Sequence, residues 1–180
     1  MVEQAFHEIK AIIGLGNPGD RYYKTRHSIG FRVLDELAQR CQAQPWKSYG
    51  DMQTTTLTLC GLDILAVKPQ TFMNNSGAAI PFLKMRGLSP EQVLVIHDEL
   101  ELPFGKLALR FGGGSRGHNG LKSIIAQAGQ DFSRLRCGIG RPEVREDVPD
   151  YVLAHFTEGE DAVTNFINQA ADLVVSSLNP

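Results

Sequence analysis

Cysteine is scarce in this 180-residue chain: Cys41, Cys60 and Cys137 are odd in number and share no metal-ligand spacing. That excludes a disulfide framework and a cysteine-based zinc site, and predicts buried, reduced thiols in a cytosolic protein. No apolar run reaches the ~18–20 residues of a membrane span. Met1 to Lys10 lacks the charged, apolar and small-residue order of a signal peptide. No Gly-Lys-Ser/Thr follows a glycine loop, so a P-loop is excluded. Gly14-Leu15-Gly16-Asn17-Pro18-Gly19 lacks the third glycine of a dinucleotide fingerprint, and Pro18 removes an amide donor. Repeats, low-complexity tracts and linkers are missing too, so one domain over residues 1–180 is expected.

Charge of one sign is not abundant overall, with a net charge of −2. Its distribution is uneven. Residues 141–180 hold 2 basic and 8 acidic side chains, while Phe104 to Arg136 holds six basic ones against Asp131 alone. A local excess of that size can attract phosphate, without the broad field of a general DNA binder; on charge alone, a solvated surface with scattered lysines fits equally well.

What is present alternates between strand and helix patterns. Ile9–Leu15 is an apolar, β-branched run ending at glycine, which predicts a buried strand. Asn17 to Asp20 has turn composition. Ser28 is expected to cap a helix whose apolar positions are Val33, Leu34, Leu37, Ala38 and Cys41. Two strands, 54–60 and 63–68, flank a hairpin centred on Gly61-Leu62. Asn75 or Ser76 starts a second helix through Leu83 to Gly87, with Pro81 tolerable only in or near its first turn. Gln92–Ile96 predicts a central strand delivering His97-Asp98 at its carboxyl end. Further strands are expected at 106–111 and 134–139, and helices at 120–128 and from Val163 to Leu178. The order specifies an α/β sandwich: a twisted, mostly parallel mixed sheet flanked by helices, with sites at its strand ends.

Four polar segments carry the chemistry. They follow or join apolar runs and supply a histidine (His27), an acid (Asp98) and three amides (Asn17, Asn74 and Asn119). An imidazole titrates near ~6.5 and is the natural general base. A carboxylate after Val93-Leu94-Val95-Ile96 sits at the edge of a buried sheet and needs a partner. If that partner is one ring nitrogen of His27, the other is fixed as the acceptor of a proton from water. The alternative is that Asp98 caps a turn. His97 is expected on the opposite face of the strand, Glu99 and Glu101 in solvent, and His7 and His118 too isolated to complete a zinc set. The amides suit a polar, uncharged substrate or an oxyanion; singly, Asn17 and Asn119 also fit plain turn positions beside glycine.

Together these residues closely resemble the bacterial-type peptidyl-tRNA hydrolase family. The match runs through Gly14 to Gly19, Tyr22 and Thr25-Arg26-His27; then Lys68-Pro69 and Thr71-Phe72-Met73-Asn74 with Ser76-Gly77; then His97-Asp98-Glu99-Leu100; then Gly112-Gly113-Gly114 with Gly117 through Ile124; and finally Arg134 to Pro142. All five stand in family order. The resemblance implies hydrolysis of the ester joining a peptide to the 3′ end of tRNA, which recycles tRNA from aborted translation. It implies a cytosolic monomer with no metal or organic cofactor. By position it implies His27 as the base and Asp98 as its orienting partner. Asn17 and Asn74 become contacts to the substrate's terminal residue and peptide backbone, and Asn119 the residue holding water or the oxyanion. Tyr22 and Met73 line the cleft, and Arg110 and Arg136 grip the tRNA 5′ phosphate. Guanidinium groups suit that last task.

Two positions depart from the family. Ser28 stands where Asn is usual and is expected to weaken one contact to substrate or water. Ala108 stands where many relatives carry Lys and thins the basic strand. Two rivals remain: an RNA-splicing scaffold, as in plant organelle relatives, and a hydrolase of other acyl esters. A scaffold predicts a transit peptide and a damaged catalytic set, and neither is seen. Gly112–Gly117 and Arg141–Asp150 are candidate lids.

Overall fold

In a computed structural model, residues 8–179 are described. The expectations for His7 and for most of the Met1–Lys10 segment lie outside them. One seven-stranded sheet has the order β2-β3-β4-β1-β5-β7-β6. Its strands are β1 (Ala11–Gly14), β2 (Lys47–Tyr49), β3 (Met52–Leu59), β4 (Leu62–Pro69), β5 (Val93–Glu99), β6 (Leu107–Phe111) and β7 (Ser133–Gly138). The four central strands β4, β1, β5 and β7 run parallel. The three flanking pairings, β2–β3, β3–β4 and β6–β7, are antiparallel.

Among the described residues, six α-helices surround the sheet: α1 (Asp20–Tyr23), α2 (Ile29–Arg40), α3 (Ala79–Lys84), α4 (Asn119–Ala128), α5 (Val148–Val152) and α6 (Glu160–Leu178). Strand side chains alternate between faces, which splits the core in two. Ile12, Leu94, Ile96 and Leu135 pack under α2 and α6. Ala11, Ile13, Val93 and Val95 pack under α3 and α4. No helix among the described residues is long and apolar enough to cross a membrane.

Parallel strands bring their carboxyl ends to one rim. The chain leaves β1 between β4 and β5, so a crevice opens there. The α2 layer is drawn tight against this rim by two glycines. A Cβ on Gly30 would lie 2.4 Å from both Ile96 O and Leu15 N, and one on Gly14 would lie 2.4 Å from Gly30 O. Only glycine permits that backbone approach, and it seats the 3₁₀ turn Arg26–Ser28 directly over the ends of β1 and β5.

Several elements depart from expectation. The hairpin turn is Cys60-Gly61, both at positive φ (51° and 76°), one residue earlier than predicted. Two positive φ values suit the twist of a two-residue hairpin. Cys60 is therefore exposed rather than buried; Cys41 is intermediate, and only Cys137 is fully buried. The second helix starts as a 3₁₀ stretch, Met73–Ala78, which runs straight into α3. The side chain of Ser28 does not cap α2; its hydroxyl accepts the backbone N–H of Asn17 at 3.1 Å. Short α1, α5 and β2 have no hydrophobic period of their own, so no sequence pattern predicted them.

Candidate active site

Asp98 follows Leu94 and Ile96 on the α2 face of β5, and His97 takes the other face with Val93 and Val95. The predicted pair forms. His27 Nδ1 lies 2.9 and 3.0 Å from the two Asp98 carboxylate oxygens. Asp98 is therefore no mere turn cap. Its carboxylate is 2% exposed and takes a second imidazole, with His118 Nε2 2.8 Å from Oδ1. This corrects the expectation that His118 is isolated.

Hydrogen bonding sets the proton positions. His118 Nδ1 accepts the backbone N–H groups of Gly120 and Leu121 at 3.1 and 3.2 Å, so its Nε2 carries the proton and donates to Asp98. The same bonds make His118 the side-chain cap of α4. A histidine in that place locks its own tautomer by finishing a helix. His27 likewise donates from Nδ1 to Asp98, which leaves the Nε2 lone pair as the free acceptor. His27, Asp98 and His118 offer atoms within 4.8 Å of one another, a spacing a metal ion can use. The donor chemistry opposes that use: both nitrogens facing the carboxylate carry protons, and moving the His118 proton to Nδ1 would set it against two backbone N–H groups.

Electrostatics follow from burial and these bonds. Burial disfavours the Asp98 carboxylate, but His27 and then His118 overcome it and hold the group well below the usual carboxylate range. Burial pulls the His27 imidazole down, yet the charge and hydrogen bond of Asp98 leave it above 6.5. His97 is different. Burial, then the neighbouring His118, push it down to about 3, so it stays neutral. Its Nδ1–H donates to the Asp98 carbonyl at 2.7 Å, while its Nε2 is buried without a partner.

Two cavities meet at His27. One, of about 290 Å³, is lined by Asn17, Tyr22, Phe72, Met73, Asn74, Asn119 and Leu153. The Asn17 side-chain oxygen accepts the Met73 N–H at 2.8 Å, which fixes the amide orientation and leaves its NH₂ to meet a ligand. The other cavity, of about 340 Å³, is lined by Asp98, Glu99, Arg116, His118, Arg141 and Arg145. Asn119, Pro149 and Val152 border both. The first four of the predicted contacts, Asn17, Tyr22, Met73 and Asn74, thus share one wall with Asn119.

Arg110 and Arg136 lie elsewhere, in a small basic hollow with Gly112–Ser115, Arg116 and Arg134. Antiparallel register sets Arg110 opposite Arg134 and Ala108 opposite Arg136. Arg134 donates to the carbonyl oxygens of Gly113 and Gly114 and so shapes the glycine loop. Burial, then the nearby Arg110 charge, lower the Arg134 guanidinium to about 10. Glu99 departs from expectation: it is 8% exposed, not solvated, and its Oε1 accepts from Arg136 Nε at 2.7 Å. It borders both the hollow and the larger cavity. Glu101 remains at the surface, paired with Arg141.

Sequence reasoning missed His118, Glu99 and Arg134, and its Arg141–Asp150 segment reaches only part of α5, whose Pro149 and Val152 line both cavities. His118 precedes an Asn-Gly pair at a helix start, which marks it as a cap, but nothing local names Asp98 as its partner. Arg134 and Arg136 alternate along one strand, yet only the register with β6 reveals which neighbours they meet. Ser28, expected to weaken a contact to substrate or water, is wholly buried, and its hydroxyl serves the Asn17 turn.

Comparison with known proteins identifies a family. The family model described as peptidyl-tRNA hydrolase matches residues 11–179. The peptidyl-tRNA hydrolase of Aquifex aeolicus is 45% identical over 166 residues, covering 91% of this chain and 86% of that protein. That of Mycolicibacterium smegmatis is 42% identical over 177 residues, covering 94% and 93%. The crystal structure of peptidyl-tRNA hydrolase from Acinetobacter baumannii superposes with a TM-score of 0.85 at 36% identity, covering 94% of this chain and 86% of that one. On this match of sequence and fold across nearly its full length, the chain belongs to the peptidyl-tRNA hydrolase family.

Proposed function

We propose that this protein hydrolyses the ester between an N-blocked aminoacyl or peptidyl group and the 3′ end of tRNA, as a single-domain, cytosolic monomer without a metal or organic cofactor. The observation that carries this is the His27–Asp98 pair at 2.9 Å, with the free His27 nitrogen facing two joined cavities.

His27 Nε2 takes a proton from a water, and the water oxygen bonds to the ester carbonyl carbon. Asp98 stabilises the imidazolium that forms. The tetrahedral oxyanion is met by the Asn119 amide. On collapse the bond to the ribose oxygen breaks, and His27 returns its proton to that oxygen. A ribose hydroxyl is a far better leaving group than an amine, so no further activation is required. The Asn17 NH₂ and the Asn74 amide hold the peptide backbone against Tyr22 and Met73, and Arg110 and Arg136 hold the terminal phosphate at the 5′ end. A general base contributes about 10²–10⁴-fold.

The test compares three esters: N-acetyl-aminoacyl-tRNA, unblocked aminoacyl-tRNA and a small acyl ester. Preferred turnover of the N-blocked tRNA is expected. Equal turnover of the small ester would assign the site to general esterase chemistry.

A further inference from the structure

The cleft walls are tied together from behind by an ion pair between a buried lysine and a half-buried aspartate. Lys68, near the end of β4, is 7% exposed, and its ammonium lies 2.7 Å from Asp35 Oδ1 and 4.0 Å from the centre of the Trp46 ring. The other Asp35 oxygen accepts the Tyr23 hydroxyl at 2.7 Å. Asp35 belongs to α2, the helix that follows His27.

Each partner leads into a different wall. Tyr23 adjoins Tyr22, and Lys68 is four residues before Phe72. The Tyr22 and Phe72 rings meet edge to face, 6.0 Å between centroids, and both line the 290 Å³ cavity. Between these walls runs the Asn17 turn, which leans on α2 as well: a Cβ on Gly16 would lie 2.6 Å from the Phe31 ring. The Lys68 ammonium also sits 5.8 Å from that ring's centre. One carboxylate on the helix that follows the base thus holds both sides of the acyl cavity.

We infer that Asp35 is a positioning residue that sets the width of the acyl cavity, through Lys68 for the Phe72 wall and Tyr23 for the Tyr22 wall, and so governs which acyl groups are accepted. Only the acyl side depends on it. The Arg116–Arg141–Arg145 cavity and the basic hollow share no residue with the network. The network rests the specificity claim on the hydrolase assignment, but the tether itself is independent of turnover.

Tyr23→Phe is the leading variant, because it deletes one hydrogen bond and leaves the ion pair intact. Asp35→Asn strands a buried cation and risks the fold; Lys68→Arg, which keeps the pair, is the rescue control. The assay compares N-acetyl-phenylalanyl-tRNA with N-acetyl-glycyl-tRNA, and deacylated tRNA as inhibitor. In Tyr23→Phe the preference between the two acyl groups should change about three- to tenfold, the worth of one such hydrogen bond, and should do so through KM. Inhibition by deacylated tRNA should stay within about twofold of wild type, since uniform nucleotide binding is untouched. Lys68→Arg should keep the wild-type preference.

A second measurement needs no turnover. The affinity of 3′-(N-acetylphenylalanyl)amino-adenosine, with an amide in place of the ester, is compared with that of adenosine in wild type and Tyr23→Phe. The gain from the acyl group should shrink about three- to tenfold. Wild type that binds the acyl group but hydrolyses neither tRNA would defeat the functional assignment and leave the tether standing. An unchanged acyl preference and an unchanged acyl gain in Tyr23→Phe would overturn the inference, as would an equal loss for both acyl groups and deacylated tRNA.

Discussion

His118 donates to Asp98 at 2.8 Å from a ring whose other nitrogen finishes the N-terminus of α4. The carboxylate that orients His27 is thereby shared between two imidazoles. The His118 proton draws charge away from Asp98 and lowers its basicity. Replacing His118 with Ala should leave the carboxylate freer to stabilise imidazolium, raising the His27 pKa further above 6.5. The rising limb of the pH–rate profile should then move to higher pH, with turnover at neutral pH reduced about tenfold or more. A limb that stays in place would show that His118 serves the helix cap alone.

Asp98→Asn should act in the opposite sense. Burial lowers the His27 pKa and only Asp98 raises it, so losing the charge should pull the limb below that of wild type. Turnover on the plateau should fall about 10³–10⁴-fold, because an amide no longer secures the productive tautomer. The same shifts govern stability. The raised His27 pKa contributes stability that is full below about 6.5 and fades as pH rises through the folded value. The depressed Asp98 pKa contributes stability present above about 3.9 and lost as pH falls through its folded value. Urea titrations of wild type and Asp98→Asn across pH 3 to 9, on the order of one-unit steps, check both signs.

Arg110→Ala should weaken tRNA binding evenly across sequences and reduce the slope of log K against log salt by about one. Arg136→Ala is a harsher change, since it also strands the buried Glu99 carboxylate that accepts from it. Its loss should appear in the denaturation midpoint as well as in KM. An unaltered salt slope in Arg110→Ala would remove the phosphate role from the basic hollow.

Gly30→Ala should destabilise the fold by about 1–3 kcal/mol, the usual cost of overpacking, because its Cβ meets backbone 2.4 Å away at Ile96 O and Leu15 N. Any surviving protein should be slow, since relief of that overlap lifts the His27 turn from the rim. A urea midpoint equal to wild type would contradict this tight seat.

Local patterns made most of this legible before coordinates. The apolar run ending at Asp98 announced a buried carboxylate, and the Thr-Arg-His motif supplied its partner. Side-chain alternation on β5 placed His97 and Asp98 on opposite faces as expected. Most of the failures are relationships between distant segments. Glu99 looks solvated until β7 brings Arg136 against it. His118 looks isolated until the start of α4 is set over the end of β5. Ser28 has cap chemistry, but its hydroxyl was drawn to the Asn17 N–H once Gly14 and Gly30 closed the rim. Cys60 was expected inside because cysteine favours the interior, and the hairpin geometry put it outside.

Single-turnover hydrolysis of N-acetyl-phenylalanyl-tRNA by His27→Ala, measured beside the affinity of the same protein for deacylated tRNA, tests the central claim most directly. The account predicts a rate reduced about 10²–10⁴-fold with tRNA affinity close to wild type. A rate equal to wild type would contradict it and remove His27 as the base.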